Sequence, residues 1–296
     1  MIAISMQNKI AFVILNYKTV DETIILLKNL YAQNWYKQIK IYVVENGSNN
    51  GSIAKLKKAQ KKYSFELLLS NQNLGFAQGN NIGISKAISD GNKFVICSNN
   101  DINLHPQSDF MEKIESVYNS NKKIAIIAPA IKNLDGLYQN PFRKKRFSKK
   151  EILLMKLFYL SYFYKFYYFF RVYVIYNLIT YMAKKRKDKA SSLPPNLSDS
   201  GYIYAPHGSF LIFTPTFFNH FNGFDEHTFL YCEEFILAEM LRYKKLSCYF
   251  ENSLHVLHKE SRTTNCVVKN YKEKVKFTLQ NTFKSCKYFT KMIKVY

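Results

Sequence analysis

Residues 10–33 read IAFVILNYKTVDETIILLKNLYAQ, and the two halves of that stretch follow different periods. Ile10 to Leu15 form a short unbroken apolar run, the pattern of a strand buried on both faces rather than one with a wet side. From Asp21 onward the apolar residues fall at helical spacing, and Asp21 and Glu22 place negative charge in the first turn, where the helix dipole favours it. One β-α unit is expected here, with Asn16, Tyr17 and Lys18 in the loop between its parts.

The unit recurs three times. IYVVE (41–45) precedes a polar loop, Asn46 to Gly51, and a helix-prone run over 52–62. FELLLS (65–70) precedes a Gly-Asn loop and a helix near 76–89, and KFVICS (93–98) precedes Asn99-Asn100-Asp101 and a helix near 108–120. Four alternations argue for an α/β fold whose parallel sheet carries helices on both faces. Ligands of such sheets bind beyond the carboxyl ends of the strands, so chemistry is expected in the loops after Leu15, Val44, Leu69 and Ser98. In NQNLGFAQGNNIGI (71–84), three glycines and four asparagines open a helix, which lets backbone approach a ligand and aims free N–H groups at phosphate. Asp101, at a strand end, is suited to a divalent cation bridging two phosphates.

Composition bounds the partners. The 296 residues are 47% hydrophobic, which excludes global disorder, and 43 Lys+Arg against 21 Asp+Glu give +22, which calls for an anionic partner. Fourteen Lys/Arg and only Glu151 and Asp188 lie between Arg143 and Lys189, so most of that charge sits in one segment. Within 152–182, 13 of 31 residues are Phe or Tyr, but Lys156, Lys165 and Arg171 interrupt the apolar run needed to span a bilayer. Rings and aliphatic side chains flanked by basic clusters suit an anionic membrane surface, the alternatives being a helical hairpin packed on the protein with a basic solvated face or a re-entrant or spanning element, and the dense Leu/Ile/Phe content argues against a nucleic-acid partner. The five cysteines (Cys97, Cys232, Cys248, Cys266, Cys286) contain no CxxC pair and imply neither a disulfide framework nor a zinc site. A cytoplasmic setting is expected, with the protein peripheral on the inner face of the plasma membrane, since MIAISMQNKIAFVILNY lacks the features of a secretory signal. Beyond a Pro/Ser/Asn linker (191–201), YIYAP and SFLIF read as strands, 215–221 and 233–244 as helices, and the remainder as one or two strands followed by a basic helix.

Taken together, ILNY, VVENGSNNGS, NLGFAQGNN, SNND and GFDEHTFLYCEE, in that order and spacing, resemble the family 2 glycosyltransferases of bacterial surface polysaccharide synthesis, near the rhamnosyltransferase-like branch. The likeness implies a GT-A fold, a Rossmann-like mixed sheet flanked by helices, here with a basic aromatic helical insert. On that reading residues 1–142 are the nucleotide-sugar half, 143–190 the membrane-associating insert, and 191–296 the acceptor half with a C-terminal helix. It also implies inverting transfer of a hexosyl or rhamnosyl group from a nucleoside diphosphate sugar to a lipid-linked or growing glycan acceptor. Asn99-Asn100-Asp101 stands for the family's DxD motif, so Asp101 would hold Mn2+ or Mg2+ and Asn99 would meet the ribose. His258 matches a histidine near metal and diphosphate. Asn16 and Tyr17 would border the nucleotide, Glu45 stands where an Asp usually reads the base, and Asn73, Gly75, Phe76 and Asn80 would wrap base and diphosphate. Glu233 and Glu234 occupy the place of the catalytic acidic pair, Glu234 as base toward the acceptor hydroxyl and Glu233 orienting the acceptor. Asp225, Glu226, His207 and Gly208 would line the acceptor side. Phe235 follows the pair, and a second reading takes the chain as a catalytically silent, nucleotide-binding assembly subunit.

Overall fold

The computed structural model describes residues 10–160, 163–170, 197–260 and 271–294. The four expected strands are β1 (Ile10–Asn16), β2 (Ile39–Asn46), β3 (Glu66–Ser70) and β4 (Phe94–Asn99). They alternate with α1 (Val20–Tyr31), α2 (Ser52–Ala59) and α3 (Gly75–Ser89), and a two-residue β5 (Ile102–Asn103) leads to α4 (Phe110–Ser120). These four strands run parallel in the order β3-β2-β1-β4. Because strand side chains alternate, β1 feeds two cores. Phe12 and Ile14 join Leu26, Leu27 and Trp35 on one face, while Ala11 and Val13 join Ala77 and Ile84 on the other.

Beyond β4 the sheet stops being parallel, which corrects the all-parallel reading of the repeated units and agrees with the mixed sheet of the resemblance. β8 (Phe210–Phe213) lies antiparallel between β4 and β6 (Ile124–Asn133), and β9 (Ser247–His258) runs parallel to β6. β5 and β7 (Gly201–Ile203) both pair antiparallel with β9. The short β8 enters from the 204–209 loop at the ligand end of the sheet and so runs opposite to β4. Sequence reasoning passed over β6 altogether, although IAIIAPAIKN is buried at every residue except Lys132. Pro129 masks it: a proline cannot serve a central ladder, and here the register with β9 shifts between Pro129 and Ala130, where the ladder breaks.

The remaining helices are α5 (Lys149–Leu160), α6 (Phe163–Phe169), α7 (Pro215–Phe218), α8 (Glu233–Tyr243) and α9 (Tyr271–Met292). A third, smaller core joins three of them: Ile152 of α5, Ile236 of α8, and Phe289 with Ile293 at the end of the chain. The first part of the basic aromatic segment is thus helical and docked. Its residues 171–190, the start of the linker, Cys266 and residues 1–9 lie outside the described residues. Among the described residues no helix is long and apolar enough to cross a membrane.

Candidate active site

The loops leaving β1, β2, β3 and β4 enclose a cavity of about 190 Å³. Six of the residues expected at the nucleotide line it: Tyr17, Asn73, Gly75, Phe76, Asn99 and Asn100. The others stand behind. Asn16 is buried at the end of β1, where its Oδ1 accepts from Thr23 at 2.8 Å. Asn80 is buried in α3 and donates to Phe76 O at 2.9 Å. Glu45 is also buried, and its carboxylate accepts from Gly47 N at 3.1 Å and Ser48 N at 2.9 Å, so it shapes its own loop. Asn100 lines the cavity yet anchors the motif, donating to Thr19 O, Thr19 Oγ1 and Thr23 Oγ1 at the start of α1.

Sequence reasoning missed Asn46 and three apolar residues of this cavity, Phe229, Leu230 and Phe277. Asn46 pins the β3-α3 loop, donating to Gly75 O at 3.0 Å and Asn73 Oδ1 at 3.1 Å while accepting from Leu74 N at 3.1 Å. Phe229 O accepts from Phe76 N at 2.8 Å, and Gly75 passes so close that a Cβ there would meet Phe229 O at 2.2 Å. Only glycine fits, the more so because its φ is +80°. Asn46 and Phe229 lay inside quoted motifs; Phe277 comes from α9, and no local signal marks it.

A polar group adjoins the end of β4. Asp101 and His258 are both buried, with His258 Nε2 3.2 Å from Asp101 Oδ1. That distance is within ion-pair range, and Oδ1 is a buried oxygen that receives no hydrogen bond. The His207 ring lies 5.6 Å from that of His258, and its Nδ1 meets Ser209 Oγ at 2.9 Å. Gly208 N donates to Glu234 Oε1 at 3.3 Å, and a Cβ on Gly208 would stand 2.7 Å from that oxygen. The structure therefore brings Asp101, His258, His207, Gly208 and Glu234 into one continuous group. Glu233 is buried beside it and accepts from Thr228 Oγ1 at 3.1 Å. Tyr231 and Cys232, just before the pair, hold φ of 74° and 69°, a left-handed conformation that side-chain-bearing residues adopt under strain.

Asp225 and Glu226 are otherwise engaged. Asp225 accepts from Tyr288 of α9 at 2.9 Å and from His227 N at 3.0 Å, and Glu226 Oε1 accepts from Asn81 at 2.9 Å. Both fasten the 223–229 loop to helices. Phe235, after the acidic pair, faces rings: it stacks on Phe142 at 5.5 Å and meets Phe147 edge-on at 5.0 Å.

Burial sets the charge of this group. It pushes the Glu233 carboxyl up to about 8, with the charge of Glu234 adding to the effect, and it raises Glu234 as well. Burial, with neighbouring His258, lowers His207 to about 4, so that ring is neutral at physiological pH. The pair thus holds a proton, and Glu233, with the neighbouring charge against it, keeps that proton toward neutral pH. A divalent cation fits at Asp101 and His258: a buried carboxylate oxygen without a hydrogen bond faces an imidazole nitrogen. Among the described residues no group of three or more His, Cys, Asp or Glu that could hold a metal ion is found.

The family model for Glycosyl transferase family 2 matches residues 11–190, more than half of the chain. The chain belongs to glycosyl transferase family 2. No curated protein is significantly similar to this family 2 chain in sequence. Among solved structures it resembles the mannosyltransferase PcManGT from Pyrobaculum calidifontis in complex with GDP-Man and Mn2+, at 11% identity and a TM-score of 0.51, covering 86% of this chain and 57% of that one. GalNAc-T7 with UDP, GalNAc and Mn2+ matches at 13% identity and a TM-score of 0.57, covering 87% and 46%. S. aureus TarS 1-349 in complex with UDP-GlcNAc matches at 12% identity and a TM-score of 0.51, covering 86% and 59%. The family 2 chain therefore spans between about half and three fifths of the length of these proteins. At such identities the likeness is one of fold, and the mixed sheet flanked by helices is that of GT-A.

Proposed function

We propose that this chain is an inverting glycosyltransferase of bacterial cell-surface polysaccharide synthesis, of the rhamnosyltransferase-like branch, moving a hexosyl or rhamnosyl group from a nucleoside diphosphate sugar to a lipid-linked or growing glycan acceptor. The observation that carries the reading is the continuity of Glu234, Gly208, His207, His258 and Asp101 beside a cavity lined by Tyr17, Asn73 and Phe76. In it the base and ribose occupy the cavity, and the diphosphate reaches toward Asp101. Mn2+ or Mg2+ held by Asp101 and His258 supplies positive charge to the diphosphate when bound. Glu234, ionised while Glu233 keeps the shared proton, takes the proton from the acceptor hydroxyl. The acceptor oxygen then bonds to the anomeric carbon as the bond to the diphosphate breaks, and the diphosphate leaves with the electron pair. Phe235 packs its ring against Phe142 and Phe147.

Membrane association belongs to the same proposal. On α5, Leu153, Leu154 and Leu157 are 65%, 54% and 56% exposed, and Phe163 and Phe166 of α6 are exposed at 64% and 72%. This uncovered apolar surface lies in the chain's most basic segment, the combination that an anionic bilayer on the cytoplasmic side accepts. The test of the donor site is thermal stability with UDP, dTDP, GDP and CDP, with and without Mn2+, on wild type and Asp101→Ala. A ligand at about 100 times its Kd adds about 2.7 kcal/mol. A Mn2+-dependent shift with one nucleotide, lost in Asp101→Ala, is the expected result; no shift with any of the four would overturn the reading.

A further inference from the structure

A line of side chains outside the matched motifs ends at Asp101. Gln139, in the loop after β6, is fixed by its backbone N donating to Ile131 O at 2.8 Å, and its side-chain Nε2 donates to Glu260 Oε1. A carboxylate only accepts, so the bond to Glu260 decides which end of the amide faces the other way. The end facing His258 is the carbonyl: Gln139 Oε1 stands 2.8 Å from His258 Nδ1. A carbonyl oxygen cannot donate, so the imidazole proton resides on Nδ1, and in the neutral ring Nε2 carries a bare lone pair. That lone pair faces Asp101 Oδ1 at 3.2 Å, and the oxygen receives no hydrogen bond. Two buried acceptors set against each other are unfavourable unless positive charge comes between them.

We propose that Gln139, oriented by Glu260, is a positioning residue that fixes His258 in its Nδ1–H tautomer and so keeps Nε2 bare for a divalent cation. The proposal rests on the reading of Asp101 and His258 as the cation site. Outer partners of this kind hold a ligating ring in one tautomer and orientation, and losing one weakens metal binding about 10- to 100-fold.

The test uses the full chain without nucleotide. Nitrogen-proton NMR of the histidine rings near neutral pH, with His258 assigned by its loss in His258→Gln, reads the tautomer directly. Mn2+ affinity, read from the free-ion EPR signal, gives the second measure. Wild type should show the proton on Nδ1. Gln139→Leu should shift it toward Nε2 and weaken Mn2+ binding at least about 10-fold. Glu260→Gln is the milder variant, since it keeps the packing and merely lets the Gln139 amide reverse, and a mixture of tautomers is expected. A wild-type ring protonated at Nε2, or at both nitrogens as in an ion pair with Asp101, would overturn the proposal, as would variants with unchanged tautomer and affinity. If Asp101→Ala leaves Mn2+ binding unaltered, it is the cation site that fails; if Asp101→Ala abolishes it while Gln139→Leu does nothing, only the positioning role fails.

Discussion

Replacing Glu233 by Gln asks how much of the acidic pair's behaviour comes from a proton that the fold refuses to release. The folded carboxyl is pushed from its ordinary 4.5 up to about 8, with burial the largest cause and the charge of Glu234 next. Between those values the unfolded chain has lost the proton and the folded chain keeps it, so folding takes up protons and stability falls as pH rises. The contribution is fully present below about pH 4.5 and gone above about pH 8. One pKa unit corresponds to about 1.4 kcal/mol, so going from about pH 6.5 to about pH 8 removes about 2 kcal/mol through this group. In a chain of this size that is a melting shift of roughly 4 °C. Gln keeps an oxygen for the Thr228 hydroxyl and has nothing to titrate, so its melting temperature should fall less over the same range. Glu234 remains and leaves a residual slope, while every other group titrates alike in both proteins. Calorimetric melts at several pH values in constant ionic strength give the two slopes. Parallel lines would refute the claim that Glu233 is the protonated member.

Three further outcomes follow from other contacts. Gly208→Ala puts a Cβ 2.7 Å from Glu234 Oε1 and should lower kcat roughly 100-fold through a displaced base, with nucleotide Kd unchanged; equal loss in both would point to the donor site instead. His207 is held at about 4 against an ordinary 6.5, so the unfolded chain binds a proton that the folded one rejects, and stability drops as pH falls through that window; His207→Gln should flatten the drop in acid melts. Changing Leu157 and Phe166, 56% and 72% exposed, to Glu should release the protein from anionic vesicles in flotation assays without moving its melting temperature, and retention would remove the α5-α6 surface from the membrane reading.

Much of the fold was legible because its first half repeats one local pattern: an unbroken apolar strand, a polar loop, a helix with a polar face. The second half yields less: SFLIF reads as the strand β8, but its antiparallel direction between β4 and β6 is a matter of topology, and Pro129 disguised the buried β6. For the site, the loops expected to carry chemistry do line one cavity, because topology gathers the carboxyl ends of parallel strands on one side of the sheet. What sequence could not supply was which side chains face the cavity. Glu45 and Asn46 are adjacent, yet the carboxylate folds back onto its own loop while the amide lines the cavity. Phe277 reaches that cavity from α9, and Gln139 meets His258 from the far end of β6, contacts that only tertiary structure creates.

The small core behind α8 has a consequence for how this chain can change over generations. Ile152, Ile236, Phe289 and Ile293 come from three separated stretches, with Phe147 and Phe235 packed against them. The start of the basic aromatic segment, through α5, is therefore a wall of the frame that carries Glu233 and Glu234, and excising it would uncover the outer side of their helix. A segment grafted from a relative would need matching residues at 235 and 289, and these three stretches are expected to have been inherited, and to diverge, as a set.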